Sequence, residues 1–361
     1  MPYNSLQSVK ELLQNAGNDI STLLSQVASI TSSSSDNSSD SNSANTVNQD
    51  NKDNQTQPQH DLHFFDEEDL TSSSQEQVSK ITGEVDGFQA FGEKKSPQAP
   101  EEAKAKPQVT ENSGIDDQLQ ELITWADGLN ISADIIPRSV DELKKVKILD
   151  LSSLQLHNIT PAIGAVRNVQ IINLSNNFIS ALPNTFSQLH NLRELYIENN
   201  KLKRFPPEIC GLIQLTVLNI NDNLIQNIPE RIDQLASLET FKMMGNRVAY
   251  LPTTIGHLSN LKVLNIGGNL LNSLPVELDK CKKLEFLNAS KNRLKTLPWQ
   301  LSKLSELRIM LLNNNDLKTV PNEFAGLKNL RELDLEGNTL DNIPAGLLNL
   351  SNTNNLNIKL M

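Results

Sequence analysis

One phrase of 23 residues occurs nine times without insertion or deletion between Val146 and Asn352. The copy from Leu192 to Gln214 reads LRELYIENNKLKRFPPEICGLIQ. A fixed period of this length is typical of chains in which each copy forms one structural unit that stacks on the next. A single copy cannot bury its apolar face, because neighbouring copies complete that burial. The sequence therefore predicts a solenoid over the second half of the chain.

Each copy has the same internal pattern of apolar residues, and most copies have a proline at position 15. In the fourth copy the apolar residues are Leu215, Leu218, Ile220, Ile225, Ile228, Ile232 and Leu235. The proline fixes φ, and only about eight residues remain before the next copy, which is too few for a long helix. We therefore predict one short strand per copy, stacked in parallel, with short helical turns on the outer side.

Asparagine occupies position 9 of eight copies, where the chain is expected to turn away from the strand: Asn177, Asn200, Asn223, Asn246, Asn269, Asn292, Asn315 and Asn338. A side-chain amide at such a turn can bond to backbone groups of adjacent copies. We therefore interpret this column as a structural ladder and not as an active site.

Positions 3, 5 and 7 of each copy are predicted to point out across the sheet, because positions 4 and 6 point inward. Apolar residues at such positions are exceptions on an exposed surface, and aromatic or Met side chains with charged neighbours are typical of protein interfaces. The alternative is that β-branched residues simply suit strands, which would cover the Ile and Val residues. The predicted partner-binding residues are Glu194, Tyr196, Glu198, Lys242, Met244, Val263, Phe286, Ile309, Leu311, Glu332, Asp334 and Glu336.

Two charged groups accompany this predicted surface. Glu332, Asp334 and Glu336 form an acidic patch that could receive a basic partner. Basic residues recur just after the strands, and we interpret them as a solvated edge and not as a phosphate site: Lys201, Lys203, Arg204, Arg247, Arg293, Lys295 and Lys318.

The first half of the chain differs in composition from the repeats. Residues 1–130 carry 7 Lys+Arg against 22 Asp+Glu, whereas residues 131–361 carry 25 against 21. We predict a short amphipathic helical segment at 1–30, a disordered acidic Ser/Asn-rich linker at 31–112 and an N-terminal helix with a capping half-repeat at 113–145. The array then covers 146–361, with nine full repeats and a partial tenth. A nucleic-acid partner is not expected from this charge balance.

Two aromatic islands lie within the predicted linker, one around Phe64 and Phe65 and one around Phe88 and Phe91. Paired Phe residues in an acidic unfolded segment can present a linear docking motif. The first island is similar to the two-phenylalanine acidic motif that docks on endoplasmic-reticulum contact-site adaptors. It departs from that motif at His63 and Glu67.

Catalytic and metal-binding motifs are absent from the sequence, and its 5 His are scattered, so we predict no enzyme, metal or cofactor. No apolar run is long enough to span a bilayer, and the first residues lack a secretory signal. Cys210 and Cys281 lie three repeats apart, roughly 14 Å at about 4.8 Å per strand, which is too far for a disulfide. These features favour a cytoplasmic protein.

Residues 251–261 read LPTTIGHLSNL, and the same phrase returns at Leu274 and Pro275. This phrase resembles the intracellular Ras-group leucine-rich-repeat proteins over residues 136–361. The resemblance implies an α/β solenoid, a leucine-rich-repeat horseshoe with a parallel concave sheet, here preceded by a largely disordered N-terminal region. It also implies a scaffold that engages Ras-family GTPases, and some members assemble a protein phosphatase 1 catalytic subunit. This array is short, and the tail has no clean R/K-V-x-F phosphatase-docking tetrapeptide. The nearest sequence, KLEF at residues 283–286, lies inside a repeat strand and has Leu in place of Val.

The functional prediction is a non-enzymatic signalling scaffold whose concave face binds a protein partner, with a Ras-family GTPase or its regulator as the leading candidate. The alternative is an adaptor whose acidic linker motifs recruit a trafficking or organelle-contact protein.

Overall fold

The computed structural model describes residues 111–354 and 356–360. The predicted helical segment 1–30 and all but the last two residues of the predicted linker 31–112 lie outside the described residues. The aromatic islands around Phe64, Phe65, Phe88 and Phe91 lie outside them as well.

The first described element is helix α1 (Glu111–Gly128), which begins two residues before the expected start at Ser113. Its buried side chains are Leu119, Leu122, Ile123 and Ala126, which recur at helical spacing on one face. This face packs against the outer side of the first repeat, at residues 161–165. The helix therefore covers the apolar end of the stack, where no preceding repeat is available.

A short connection joins α1 to the array through helix α2 (Val140–Leu143). The Arg138 guanidinium lies 2.7 Å from the Asp127 carboxylate of α1 and donates to the carbonyls of Ile131 and Ile136. This one side chain thus ties the end of α1 to the loop that follows.

The repeats form a single sheet of ten parallel strands in chain order. Each strand has three residues and pairs with the next at equivalent repeat positions, so that Phe286, for example, pairs with Val263 and Ile309. The strands are β1 (Ile148–Asp150), β2 (Ile171–Asn173), β3 (Glu194–Tyr196), β4 (Val217–Asn219), β5 (Thr240–Lys242), β6 (Val263–Asn265), β7 (Phe286–Asn288), β8 (Ile309–Leu311), β9 (Glu332–Asp334) and β10 (Asn357–Lys359). This arrangement confirms the predicted solenoid with a parallel sheet.

The outer side holds one five-residue 3-10 helix in each of eight repeats, as the short return path requires. In seven of them the position-15 proline precedes the helix, with φ between −58° and −72°. The ninth repeat has a longer helix, α3 (Ala345–Asn354), in that place. The 3-10 helices are Pro161–Ala165, Asn184–Gln188, Pro207–Gly211, Glu230–Gln234, Thr253–His257, Val276–Lys280, Trp299–Lys303 and Asn322–Gly326.

The position-9 asparagines form the predicted ladder. The Asn246 amide donates to the carbonyl of Ile220 in the preceding repeat at 3.0 Å and to the carbonyl of Met243 in its own repeat at 3.1 Å. Its carbonyl accepts from the N–H of Ile225, also in the preceding repeat, at 3.0 Å. Each buried amide therefore satisfies backbone groups of two adjacent coils, which would otherwise be buried without partners.

The core is one continuous cluster of buried apolar residues along the whole array. Cys210 and Cys281 are free and buried in it, and burial raises the pKa of each thiol to about 11. Among the described residues, none of the helices is long and apolar enough to cross a membrane.

Candidate functional site

The concave face of the sheet is built from repeat positions 3, 5 and 7. Because the strands are in register, each of these positions forms a straight row across the sheet, and neighbouring members are about 4.8 Å apart. Positions 4 and 6 point into the core, as Leu195 and Ile197 do with no exposed surface. The predicted binding residues therefore lie on one face, with Tyr196 and Phe286 on the same side of the sheet.

Position 5 has a structural role in six of the nine full repeats that the sequence pattern alone did not reveal. An Asn or Asp carboxamide or carboxylate oxygen there accepts from the backbone N–H of position 7, as Asn173 does from Ser175 at 3.0 Å and Asn288 from Ser290 at 2.9 Å. The six residues are Asp150, Asn173, Asn219, Asn265, Asn288 and Asp334. This bond satisfies a backbone group where each strand ends.

Tyr196, Lys242 and Leu311 are the three residues that break this pattern at position 5. None of them has a side-chain acceptor that could replace an Asn or Asp at this point. In the strand that carries Lys242, the N–H of Met244 bonds instead to the side chain of Asn221 on the neighbouring repeat, at 2.7 Å. All three residues were among the predicted binding residues. What distinguishes them is that they lack the position-5 hydrogen bond to the position-7 N–H that the other six repeats have.

Strands β3 to β5 carry the charged half of the concave face, which we define as Glu194, Tyr196, Glu198, Lys242 and Met244. All five side chains are half-buried. The Tyr196 hydroxyl donates to a Glu194 carboxylate oxygen at 2.8 Å. The second carboxylate oxygen of Glu198 is buried and has no hydrogen-bond partner among the described residues.

Partial desolvation sets the electrostatics of the charged half. Burial raises the pKa of Glu198, and a bond from its own backbone N–H and the charge of Lys242 offset this only in part. Burial lowers the pKa of Lys242, against the opposing effect of Glu198. Burial also raises the pKa of Tyr196, and the adjacent Glu194 carboxylate adds to this rise. A partner that supplied complementary charges here would form ion pairs in a less polar medium than bulk water.

Strands β6 to β8 carry the apolar half of the concave face, which we define as Val263, Phe286, Ile309 and Leu311. The expectation that these residues are exposed is wrong for three of them: Val263 is 6% exposed, Phe286 1% and Leu311 7%. Phe286 lies between Val263 and Ile309 on adjacent strands, where in-register neighbours cover one another. These buried residues are nevertheless outside the connected core cluster, because they lie on the other face of the sheet.

The predicted acidic patch at Glu332, Asp334 and Glu336 lies on β9 and just after it, and it already has a cation from this chain. Lys359 of β10 lies 2.8 Å from the Glu332 carboxylate. This contact raises the pKa of Lys359, whereas burial raises the pKa of Asp334. A partner would therefore meet only the part of the patch that Lys359 leaves unpaired.

The described residues contain no group of three or more His, Cys, Asp or Glu side chains arranged to hold a metal ion. On the concave face, polar, charged and apolar side chains form parallel rows across the sheet.

Comparison with known proteins identifies the repeat. A sequence profile described as leucine rich repeat matches residues 140–202, 252–294 and 290–340. The repeats are leucine-rich repeats. No curated protein matches this chain at a significant level.

The similar solved structures include a leucine-rich-repeat ectodomain. The ectodomain of the plant receptor kinase GASSHO1/SCHENGEN3 from Arabidopsis thaliana, solved in complex with CASPARIAN STRIP INTEGRITY FACTOR 2, has 28% identity and a TM-score of 0.51 over 59% of this chain. The plant peptide hormone receptor RGFR1 in complex with RGF2 has 24% identity and a TM-score of 0.48 over 59% of this chain. An internalin from Listeria monocytogenes has 18% identity and a TM-score of 0.44, covering 67% of this chain and 96% of the internalin. The chain spans 29% and 38% of the two plant receptors.

Proposed function

We propose that this protein is a non-enzymatic scaffold whose concave face binds a folded protein partner. The observation that carries this proposal is the loss of the position-5 acceptor at Tyr196, Lys242 and Leu311. Natural sequences give up a local stabilising interaction most often where function requires another residue. Two of the three replacements, Tyr196 and Lys242, are half-buried and lie together in the charged half, whereas Leu311 is almost completely buried in the apolar half.

The makeup of the charged half supports a protein partner. Tyr and Met side chains with charged neighbours are enriched at protein interfaces, and partly desolvated charges add specificity. Among similar proteins, the GASSHO1/SCHENGEN3 ectodomain is built from the same repeat and was solved with a bound factor. That likeness supports a binding role and does not specify the partner.

The proposed partner class is a Ras-family small GTPase or its regulator, in a cytoplasmic signalling complex that could include a phosphatase. This finer proposal comes from the resemblance of residues 251–261 to the repeats of the Ras-group proteins.

The experiment replaces two of the three exceptions with the residue that the other repeats use. Tyr196→Asn with Lys242→Asn introduces the position-5 acceptor that six other repeats use, so we expect the fold to be retained. Binding of the full 361-residue chain to a purified Ras-family GTPase, loaded with GDP or with a GTP analogue, is measured by calorimetry. We expect Kd to rise at least about tenfold, because truncation of central interface residues typically costs more than 1 kcal/mol each.

The matched control is Ile213→Asn with Arg231→Asn, which replaces one large and one basic side chain, both exposed on repeats three and four away from the concave face. This variant should bind as the unaltered chain does. An absence of binding by the unaltered chain to either nucleotide state rejects the Ras-family assignment. Equal binding by the Tyr196 and Lys242 variant rejects the concave face as the site.

A further inference from the structure

The positive charge of the array is concentrated where the chain leaves the strands. We define the basic edge as positions 8–13 of repeats three to eight, which are residues 199–204, 222–227, 245–250, 268–273, 291–296 and 314–319. These residues include 8 Lys+Arg and 2 Asp+Glu, whereas the remaining residues of the same repeats include 10 Lys+Arg and 11 Asp+Glu. The excess of cations in repeats three to eight therefore lies on one edge.

Every cation of the basic edge is exposed: Lys201, Lys203, Arg204, Arg247, Lys291, Arg293, Lys295 and Lys318. The ion pairs among the described residues lie elsewhere, in the N-terminal cap, at strand starts, on the outer side and at β10. In the described part of the chain, none of the cations of the basic edge therefore belongs to one of these ion pairs.

Three of these cations lie in one row. Lys201, Arg247 and Arg293 all occupy position 10, and the backbone N–H of each donates to the position-11 carbonyl of the preceding repeat, at 2.9, 2.8 and 2.9 Å. One repeat separates each cation from the next, so their backbones are about 9.6 Å apart if each step is about 4.8 Å. The intervening position-10 residues are Leu224 and Leu270, which are half-buried.

This spacing matches a particular ligand geometry. A polypeptide in the polyproline II conformation has three residues per turn and rises about 3.1 Å per residue, so every third side chain lies on one side at intervals of about 9.3 Å. Acidic side chains at every third residue would therefore meet Lys201, Arg247 and Arg293 in turn. Residues between them could contact Leu224 and Leu270.

The backbone at Lys291 is consistent with a requirement for charge on this edge. Position 8 is left-handed in every full repeat, and Asn, Asp, Ser or Gly occupies it in all of them except the seventh, where Lys291 has φ of 52°. A long side chain is disfavoured in this conformation. The seventh repeat therefore retains a cation at a position where the backbone favours a smaller residue.

We propose that the basic edge binds an extended acidic polypeptide that runs along the solenoid axis across repeats three to eight. This surface is distinct from the concave face, and the proposal does not depend on a partner there. Single-stranded nucleic acids usually require several aromatic platforms beside the cations, whereas Tyr250 is the one aromatic side chain within the basic edge. Membrane insertion requires protruding apolar residues, whereas Leu224 and Leu270 are half-buried.

The test uses the full 361-residue chain and a fluorescein-labelled peptide of roughly five Glu-Pro-Pro triplets, which holds the required conformation. Binding is followed by fluorescence anisotropy at low salt. We expect Lys201→Glu with Arg247→Glu and Arg293→Glu to raise Kd at least about tenfold, and added salt to weaken binding by the unaltered chain. A peptide of the same composition with its Glu residues in one block should bind more weakly.

The matched control is Arg167→Glu with Arg231→Glu and Lys280→Glu, which makes the same change in charge at exposed positions outside the basic edge. It should keep most of the affinity, and circular dichroism should show that both triple variants are folded. Equal losses in the two variants, or none in either, would overturn the proposal. It would also be overturned if the chain bound phosphatidylserine vesicles or a single-stranded RNA oligomer but not the peptide, or bound both peptides equally.

Discussion

The charged half and the apolar half of the concave face share one backbone and differ in what their side chains do. Strands β3 to β5 and β6 to β8 have the same length, register and ladder asparagines. In the charged half the side chains at positions 3, 5 and 7 are all half-buried, whereas in the apolar half Phe286 and Asn288 are almost completely buried. The same backbone geometry therefore presents one half-buried charged surface and one largely buried apolar surface.

This difference teaches that the repeat fixes where side chains lie but leaves their role to the local sequence. Phe286 is covered like a core residue although it lies on the outward face of the sheet. Glu198 and Lys242 retain partial exposure and shifted pKa values. We infer that the apolar half stabilises the array and that the charged half is available for recognition.

Phe286→Ala is expected to give the largest change in stability and tests the division between the two halves. If the apolar half is structural, the substitution should lower the free energy of unfolding by about 3 kcal/mol or more, as for other large-to-small changes at buried positions. Urea denaturation followed by circular dichroism would measure this change. Met244→Ala in the charged half, where the side chain is half-buried, is the control and should cost less than about 1.5 kcal/mol. Similar losses at the two sites would remove the distinction between the halves.

A smaller effect is expected from pH in the charged half. Burial raises the pKa of Glu198 above its ordinary value of 4.5, so the folded state binds this proton more tightly than the unfolded state. Stability from this group is therefore greatest below the ordinary pKa and falls as pH rises towards the folded-state pKa. Glu198→Gln should remove this loss and stabilise the protein at pH 7 relative to pH 4, by less than about 1 kcal/mol.

The comparison for Glu198 is Glu306→Gln, at an exposed position on the outer side. Thermal unfolding of the two variants and the unaltered chain at a series of pH values would separate them. A gain at pH 7 that appears equally in Glu306→Gln would show that it comes from net charge and not from the buried carboxylate.

The smallest expected change in stability concerns position 8, the left-handed turn residue that occurs in every full repeat of both halves. Lys291→Asn should raise the free energy of unfolding by roughly 0.5 to 1 kcal/mol, because Asn tolerates left-handed φ better than Lys. Asn314→Lys is the reverse change at the same position of the next repeat and should destabilise by a similar amount. Thermal unfolding would measure both. Equal stability in all three proteins would mean that the turn does not discriminate between these residues.

The period and apolar positions of the sequence were sufficient to predict the architecture. If the position-1, 4 and 6 residues of every copy are buried, all strands must run the same way along one core. The sequence therefore predicted the parallel sheet, the short outer helices and the asparagine ladder. These features depend on local geometry that nearly every copy repeats, and the exception is the ten-residue helix α3 in the ninth repeat, which the pattern did not predict.

The burial and hydrogen bonding of the side chains on the concave face were harder to predict from the sequence. The burial of Phe286 depends on the neighbours that register brings to it from two other repeats. The ion pair between Lys359 and Glu332 depends likewise on a strand 27 residues away. The acceptor role of Asn173 and its equivalents was visible only once distances were known, although a recurrent Asn or Asp at position 5 could have indicated it. The assignment of the concave residues to a partner stays a prediction.

The amide of Asn246 links its own coil only to the one before it, and every ladder asparagine makes the same kind of connection. Deletion of one complete 23-residue repeat would therefore place equivalent repeat positions next to each other. The hydrogen bonds of the ladder asparagine could then form again with the new preceding repeat. Loss of part of a unit would instead bring unlike positions together and leave buried amides facing the wrong carbonyls. Insertions and deletions that this array tolerates should consequently add or remove complete 23-residue repeats.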